Sequence, residues 1–214
     1  MTSSRTATPR RYHKGNVAED LKTVALRILE TERVEDVSVR RLTREVGVTA
    51  ANFYNHFAGL NDLLLDIAAD AMDERMRLSA HIQRTSRSRA DAIRRSATTF
   101  VEFAIDHREL FRIMFGYIPD SLENARFRTA SDAAFGRLAE MVYGQPIDDA
   151  ANWEVSREKY KGAYGCFAMS YGLARIMVER QVPFSGDRRA EMLSFVEGVV
   201  DTYIRGELAD LVGE

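Results

Sequence analysis

The chain has one cysteine, Cys166, in 214 residues, so an intramolecular disulfide framework is excluded. No apolar run approaches the roughly 18 residues a membrane-spanning helix needs, so no membrane partner is expected. The opening MTSSRTATPRR is basic but has no apolar stretch behind it, which does not fit a secretory signal. These absences together predict a cytoplasmic protein. The four histidines, His13, His56, His81 and His107, show no i,i+4 pairing and no neighbouring cysteine, so no zinc site is expected. No glycine-rich phosphate loop occurs, and the carboxylates are patterned as surface groups. No catalytic residue, metal or cofactor is therefore expected, and the chain is not expected to be an enzyme. Cys166 lies in an apolar stretch and reads as a small buried hydrophobe rather than a nucleophile.

What is present is an ordinary globular composition, 45% hydrophobic and 29% charged, long enough to bury a core. The net charge of −2 argues against a nonspecific nucleic-acid coat. Its distribution is uneven: residues 1–61 hold 10 basic and 7 acidic side chains, and residues 62–214 hold 20 and 25. A slightly basic front on an acidic remainder suits a small DNA-contacting module attached to a larger body.

The periodicity is helical almost throughout, and no alternating stretch persuades as a strand, so the expected fold class is all-α with about nine helices. Residues 1–15, with Arg5, Arg10, Arg11 and Lys14, read as a disordered basic arm, either a solubilising tail or one that tracks DNA. A first amphipathic helix runs from 16 to about 31 on Val17, Leu21, Val24, Ala25, Ile28 and Leu29. Ser38 is a good cap for a second helix, and Val37 before it can staple against Leu42. Val39, Leu42 and Val46 form that helix's buried stripe, which turns Arg40, Arg41 and Arg44 outward. Gly47 can end it in the left-handed conformation. Thr49 caps a third helix running to about Asn55, and Asn61 is the expected cap of a fourth. Five more helices are expected at 88–105, 107–116, 121–143, 151–181 and 187–211, with Asp106 and Glu109 as a capping box at the second of these. Pro119, the Gly144–Pro146 segment and the Pro183–Gly186 segment mark breaks.

Two short helices joined by a tight turn, the second polar, make the layout of a helix-turn-helix, whose second helix enters the major groove. Ala50 and Ala51 are small enough for close approach. Asn52 and Asn55 carry amides suited to base edges. Thr49, Tyr54 and His56 suit phosphate oxygens. Phe53 and Phe57 read as buried props.

On these residues the chain resembles the TetR family of transcriptional regulators. The family pattern is a Ser/Thr-Val-x-x-Ile/Leu-Ala-x-x-x-Gly-Val-Ser/Thr run, followed by Phe/Leu-Tyr-x-His/Tyr-Phe. This chain reads SVRRLTREVGVT, AANFYNHF and AGLNDLLLDI. The resemblance is dense over residues 16–67, after a helix with an apolar pair like Val24-Ala25. It departs at Thr43, where the family often has alanine. It departs again at Leu60, where a phosphate-touching lysine is common. The resemblance implies DNA contacts at Ser38, Arg40, Thr49, Ala50, Ala51, Asn52, Tyr54, Asn55 and His56. Arg41 and Arg44 join them as outward cations able to offset the missing lysine. Domains follow: arm 1–15, helix-turn-helix 16–67, effector-binding and dimerisation body 68–214.

In the body, HRELFRIMFG at 107–116 and FAMSYGLARI at 167–176 resemble one subgroup of TetR C-terminal domains. That subgroup often has Trp, three residues, then His-Gly, where this chain has Phe167, Tyr171 and Gly172. Small Gly165 and Gly172, with Leu193, Val196, Val200, Tyr203 and Ile204 along one side of the last helix, suggest a homodimer interface, against plain protomer core packing. Aromatic and Met side chains crowd the body, Tyr117 and Trp153 among them. Phe103, Phe111, Met114, Phe115, Tyr164, Phe167, Tyr171 and Arg175 are the candidates for an effector pocket. The resulting expectation is a ligand-responsive regulator, a repressor that binds a pseudo-palindromic double-stranded operator as a homodimer and releases it when a small apolar or amphipathic effector binds. The alternatives are a helical adaptor without DNA binding, and a small helical enzyme using the pocket.

Overall fold

The protein is described by a computed structural model covering residues 16–116, 118–119, 121–147, 157–184 and 188–212. The arm, with His13, and Tyr117, Trp153 and the start of the expected 151–181 helix lie outside the described residues. Among the described residues the structure is all-α with no strand, and eight helices have seven residues or more. The chain divides into two compact units, one ending at Leu63 and the other beginning at Leu64.

The first unit contains α1 (Val17–Thr31), a 3-10 turn at Val34–Asp36, α2 (Val39–Val46), α3 (Ala50–Tyr54) and the start of α4 (Leu60–Thr85). Its core is Leu21, Val24, Ala25, Ile28, Leu29, Val34, Val37, Leu42, Val46, Phe53 and Phe57, all buried. Spacings of three and four put the α1 members on one stripe, as its periodicity predicts. Lys22 is buried beside that stripe and reaches Glu19 at 2.7 Å, its stem covered and its charge paired. Ser38 accepts from the Arg41 amide at 3.3 Å and Thr49 from the Asn52 amide at 3.2 Å, so both expected caps form. Gly47 lies at φ +79° with open space where a Cβ would stand. Its need for glycine is therefore conformational rather than steric. Thr43, the departure from alanine, is buried and donates its hydroxyl to the Val39 carbonyl at 2.8 Å, which satisfies the extra polar group. Asn61 is not the cap of α4: the helix already starts at Leu60, and Asp62 accepts from the Ala58 amide at 2.9 Å instead.

The second unit continues α4 and adds α5 (Arg89–Asp106), α6 (Arg108–Met114), α7 (Ala125–Tyr143), α8 (Lys161–Val178), α9 (Arg188–Glu207) and α10 (Ala209–Val212). Its centre is α5, which packs on α8, α9 and α7. The expected 121–143 helix is split: a 3-10 turn at Ser121–Glu123 precedes Asn124, whose side chain caps α7 by accepting from the Phe127 amide at 2.9 Å. The expected capping box at α6 is absent. Asp106 is taken by Arg189 at 2.6 and 2.9 Å, and Glu109 by Arg112 at 2.7 Å.

Two expectations about dimer residues are corrected here. Val196, Val200 and Ile204 have no exposed surface in the single protomer and belong to its core with α5 and α8. A stripe already covered within one chain has no area left to give a partner. Gly165 has a neighbour inside the protomer too: a Cβ there would run into the Tyr203 hydroxyl, so the glycine leaves room on α8 for that side chain of α9. Gly172 has open space around it, Leu193 and Tyr203 are half-buried, and Phe195 on the outer face of α9 is exposed.

Candidate functional site

The turn between α2 and α3 presents a contiguous polar surface. Ser38, Arg40, Arg44, Thr49, Ala50, Ala51, Tyr54, Asn55 and His56 are exposed, and Asn52 is half-buried. Phe53 is fully buried and meets Tyr54 edge-on at 5.3 Å and Phe57 at 5.7 Å, so the aromatic pair behind the helix fixes how α3 sits. Tyr54 keeps 58% of its surface, which leaves its hydroxyl outside. No side chain among the described residues holds Arg40 or Arg44.

Arg41 behaves differently. Its two terminal nitrogens donate to the Glu32 carboxylate at 2.8 and 2.6 Å, and its Nε donates to Glu45 at 3.0 Å. Glu45 also pairs with Arg27. The expected outward Arg41 is thus turned into the module, because carboxylates at the end of α1 and one turn along α2 satisfy its planar fork bidentately. The same contact holds the Glu32 carboxyl below its usual range. Leu60, where the resemblance expects a lysine, is half-buried.

The second unit encloses a cavity of about 520 Å³ between α4, α5, α7 and α8. That volume is within the range of small-molecule sites. Of the expected pocket residues, Met114, Phe115, Tyr164 and Phe167 line it. Phe103, Phe111, Tyr171 and Arg175 do not. Phe111 is buried behind the wall, against Phe100, Phe115 and Tyr171 at 5.7, 4.9 and 5.9 Å. Tyr171 donates toward the Phe115 carbonyl at 3.5 Å. Phe103 sits beneath Arg75, whose guanidinium lies 5.3 Å from its ring centre. Arg175 is exposed and paired with Glu179.

Sequence reasoning missed the lining from α4 and α7, notably Met72, Arg75, Asp132, Phe135 and Arg137. A signal existed, since Met72, Arg75, Met76 and Ser79 recur at i, i+3, i+4 and i+7, one face of a helix. Burial holds the Arg75 guanidinium below its usual value, against the opposing pull of Glu74 and Glu102. Burial also raises the Asp132 carboxyl, eased by Arg128. Cys166 lines the cavity as well, and burial pushes its thiol up to about 12. No cluster of metal-ligating side chains occurs among the described residues, and none of their helices is long and apolar enough to cross a membrane.

No family model matches the chain. It is 24% identical over 173 residues to an uncharacterised HTH-type transcriptional regulator of Haemophilus influenzae, over 78% of this chain and 77% of that protein. Among solved structures it is similar to a Rhodococcus sp. RHA1 protein of unknown function, with a TM-score of 0.67 and 25% identity over 91% of this chain and 97% of the other. It also shares its fold with RolR, solved in complex with resorcinol, with a TM-score of 0.57 and 16% identity over 92% and 91% of the two chains. The fold is thus an established one, and the named relative in sequence is a transcriptional regulator.

Proposed function

We propose that the protein is a DNA-binding transcriptional regulator of the TetR type, a repressor whose operator is released when a small molecule enters the body's cavity. The observation that carries this reading is the α2–α3 surface. Its caps and turn form as a helix-turn-helix requires, Leu42 and Val46 of its apolar stripe are buried while Val39 is half-buried, and Thr49, Tyr54, Asn55 and His56 are exposed with Asn52 half-buried. Asn52 and Asn55 read bases, while Arg40, Arg44, Thr49, Tyr54 and His56 hold phosphates.

The cavity supplies the control. RolR, with the same fold, holds resorcinol. Here α4 begins at Leu60, three residues after Phe57, and carries Met72, Arg75, Met76 and Ser79 into the cavity lining. A ligand that favours one setting of α4 shifts the population of that setting by its differential affinity, and DNA opposes the ligand by the same factor. The partner is a second copy of the chain, docked through the outer faces of α8 and α9 around Gly172, Phe195 and Val199. Twofold symmetry then makes the operator pseudo-palindromic.

Selection of duplexes from a random library by the whole chain tests this. The reading expects recovered sequences with two inverted half-sites spaced by about one helical turn or a multiple of it. A pool that stays random would leave the adaptor reading in its place.

A further inference from the structure

We propose that the cavity binds a ligand with an apolar, ring-sized body and a single carboxylate, which docks on Arg75. This rests on reading the cavity as the effector site. The body of the ligand follows from the walls: Phe100, Phe115, Phe127, Phe135 and Phe167 with Met72 make an aromatic, apolar enclosure. The carboxylate follows from two arginines in the lining. Arg75 has a hydrogen bond to Thr99 only at 3.4 Å and the Phe103 ring at 5.3 Å, and no ion pair among the described residues holds it. Glu74 and Glu102 act on it through charge alone, with no hydrogen bond, so this half-buried cation has lost water without gaining a paired anion. Arg137 gives one terminal nitrogen to Glu140 at 3.0 Å, but its Nε is buried with no partner. Buried donors of this kind are seldom left unmet. A carboxylate on the ligand would supply the missing acceptor at Arg75, with Arg137 as a second donor residue in the same lining. Asp132 is the lone carboxylate in the lining, so a second negative charge on the ligand would meet it at a cost, which selects a monoacid over a diacid.

The test uses calorimetry on the whole chain with acids and their carboxamides matched in size: phenylacetate, naphthalene-2-acetate and decanoate, each against its amide. At least one acid should bind ~10-fold or more tightly than its amide, as expected for a charge-assisted contact that the neutral group cannot replace. Arg75→Met should bring acid and amide within about twofold of each other while the amide's own affinity holds, which shows the cavity intact. Arg75→Lys should restore part of the preference. Arg137→Met should reduce it, and remains informative if Arg75→Met does not fold. Amides binding as well as acids, no acid binding at all, or a preference that survives both methionine variants would overturn the proposal. The same ligands added to a protein–DNA complex separate the two readings. Arginine-dependent acid binding without DNA release would leave this inference standing and remove the effector role. DNA release by the amides alone would do the reverse.

Discussion

Arg41 grips Glu32 with both terminal nitrogens, at 2.8 and 2.6 Å, and so ties the start of α2 to the residue that closes α1. The arginine that the helical pattern points at DNA is instead a strut that sets the angle between the two helices. The exposed cations on α2 that no side chain among the described residues holds are therefore Arg40 and Arg44.

This separates the three arginines in a salt titration. Each phosphate contact contributes about 0.9 to the slope of log K against log salt. Arg40→Met and Arg44→Met should each flatten the slope by roughly one unit. Arg41→Met should leave the slope unchanged and weaken binding only through a looser module. A flattened slope for Arg41→Met would return it to the phosphate contacts.

The same pair predicts an acid dependence. The Glu32 carboxyl titrates below its ordinary value because Arg41 donates to its charged form. A carboxyl whose value is depressed on folding stabilises the fold above its unfolded value and loses that contribution as pH falls through the folded value. Glu32→Gln should therefore be less stable than the native chain at neutral pH, with the two converging in acid. Denaturant melts at a series of pH values would show it, and parallel curves would contradict it.

Asn52 and Tyr54 should divide specificity from affinity. Asn52→Ala should lower binding to the selected operator and leave random DNA untouched, whereas Tyr54→Phe should weaken both alike. Equal losses on the two DNAs for the asparagine variant would remove it from base reading.

On α9 the inner and outer faces should give opposite results. Ile204→Ala empties core volume and should cost about 2–5 kcal/mol in urea melts without changing oligomeric state. Phe195→Asp should leave protomer stability nearly unchanged and split the dimer in sedimentation. Dimers that survive Phe195→Asp would place the interface elsewhere.

These cases show what the sequence could disclose. The caps at Ser38 and Thr49, the turn at Gly47 and the α1 stripe are local features, and each formed as read. The fold class followed from periodicity for the same reason. Arg41 misled because its partners, Glu32 and Glu45, come together only when α1 and α2 pack. Val196, Val200 and Ile204 form a stripe whose spacing says that it is buried but not against what. Arg75 and Arg137 stayed hidden because a charged residue on an amphipathic helix reads as solvated, and only the packed helices show that both belong to a cavity lining.

The most direct test of the regulator is fluorescence anisotropy of the whole chain on its selected operator and on a scrambled duplex of equal length, at the same near-physiological salt. Binding to the operator should be at least ~1,000-fold tighter than to the scrambled duplex, with steep weakening as salt rises. Equal, weak binding to both would contradict the regulator reading.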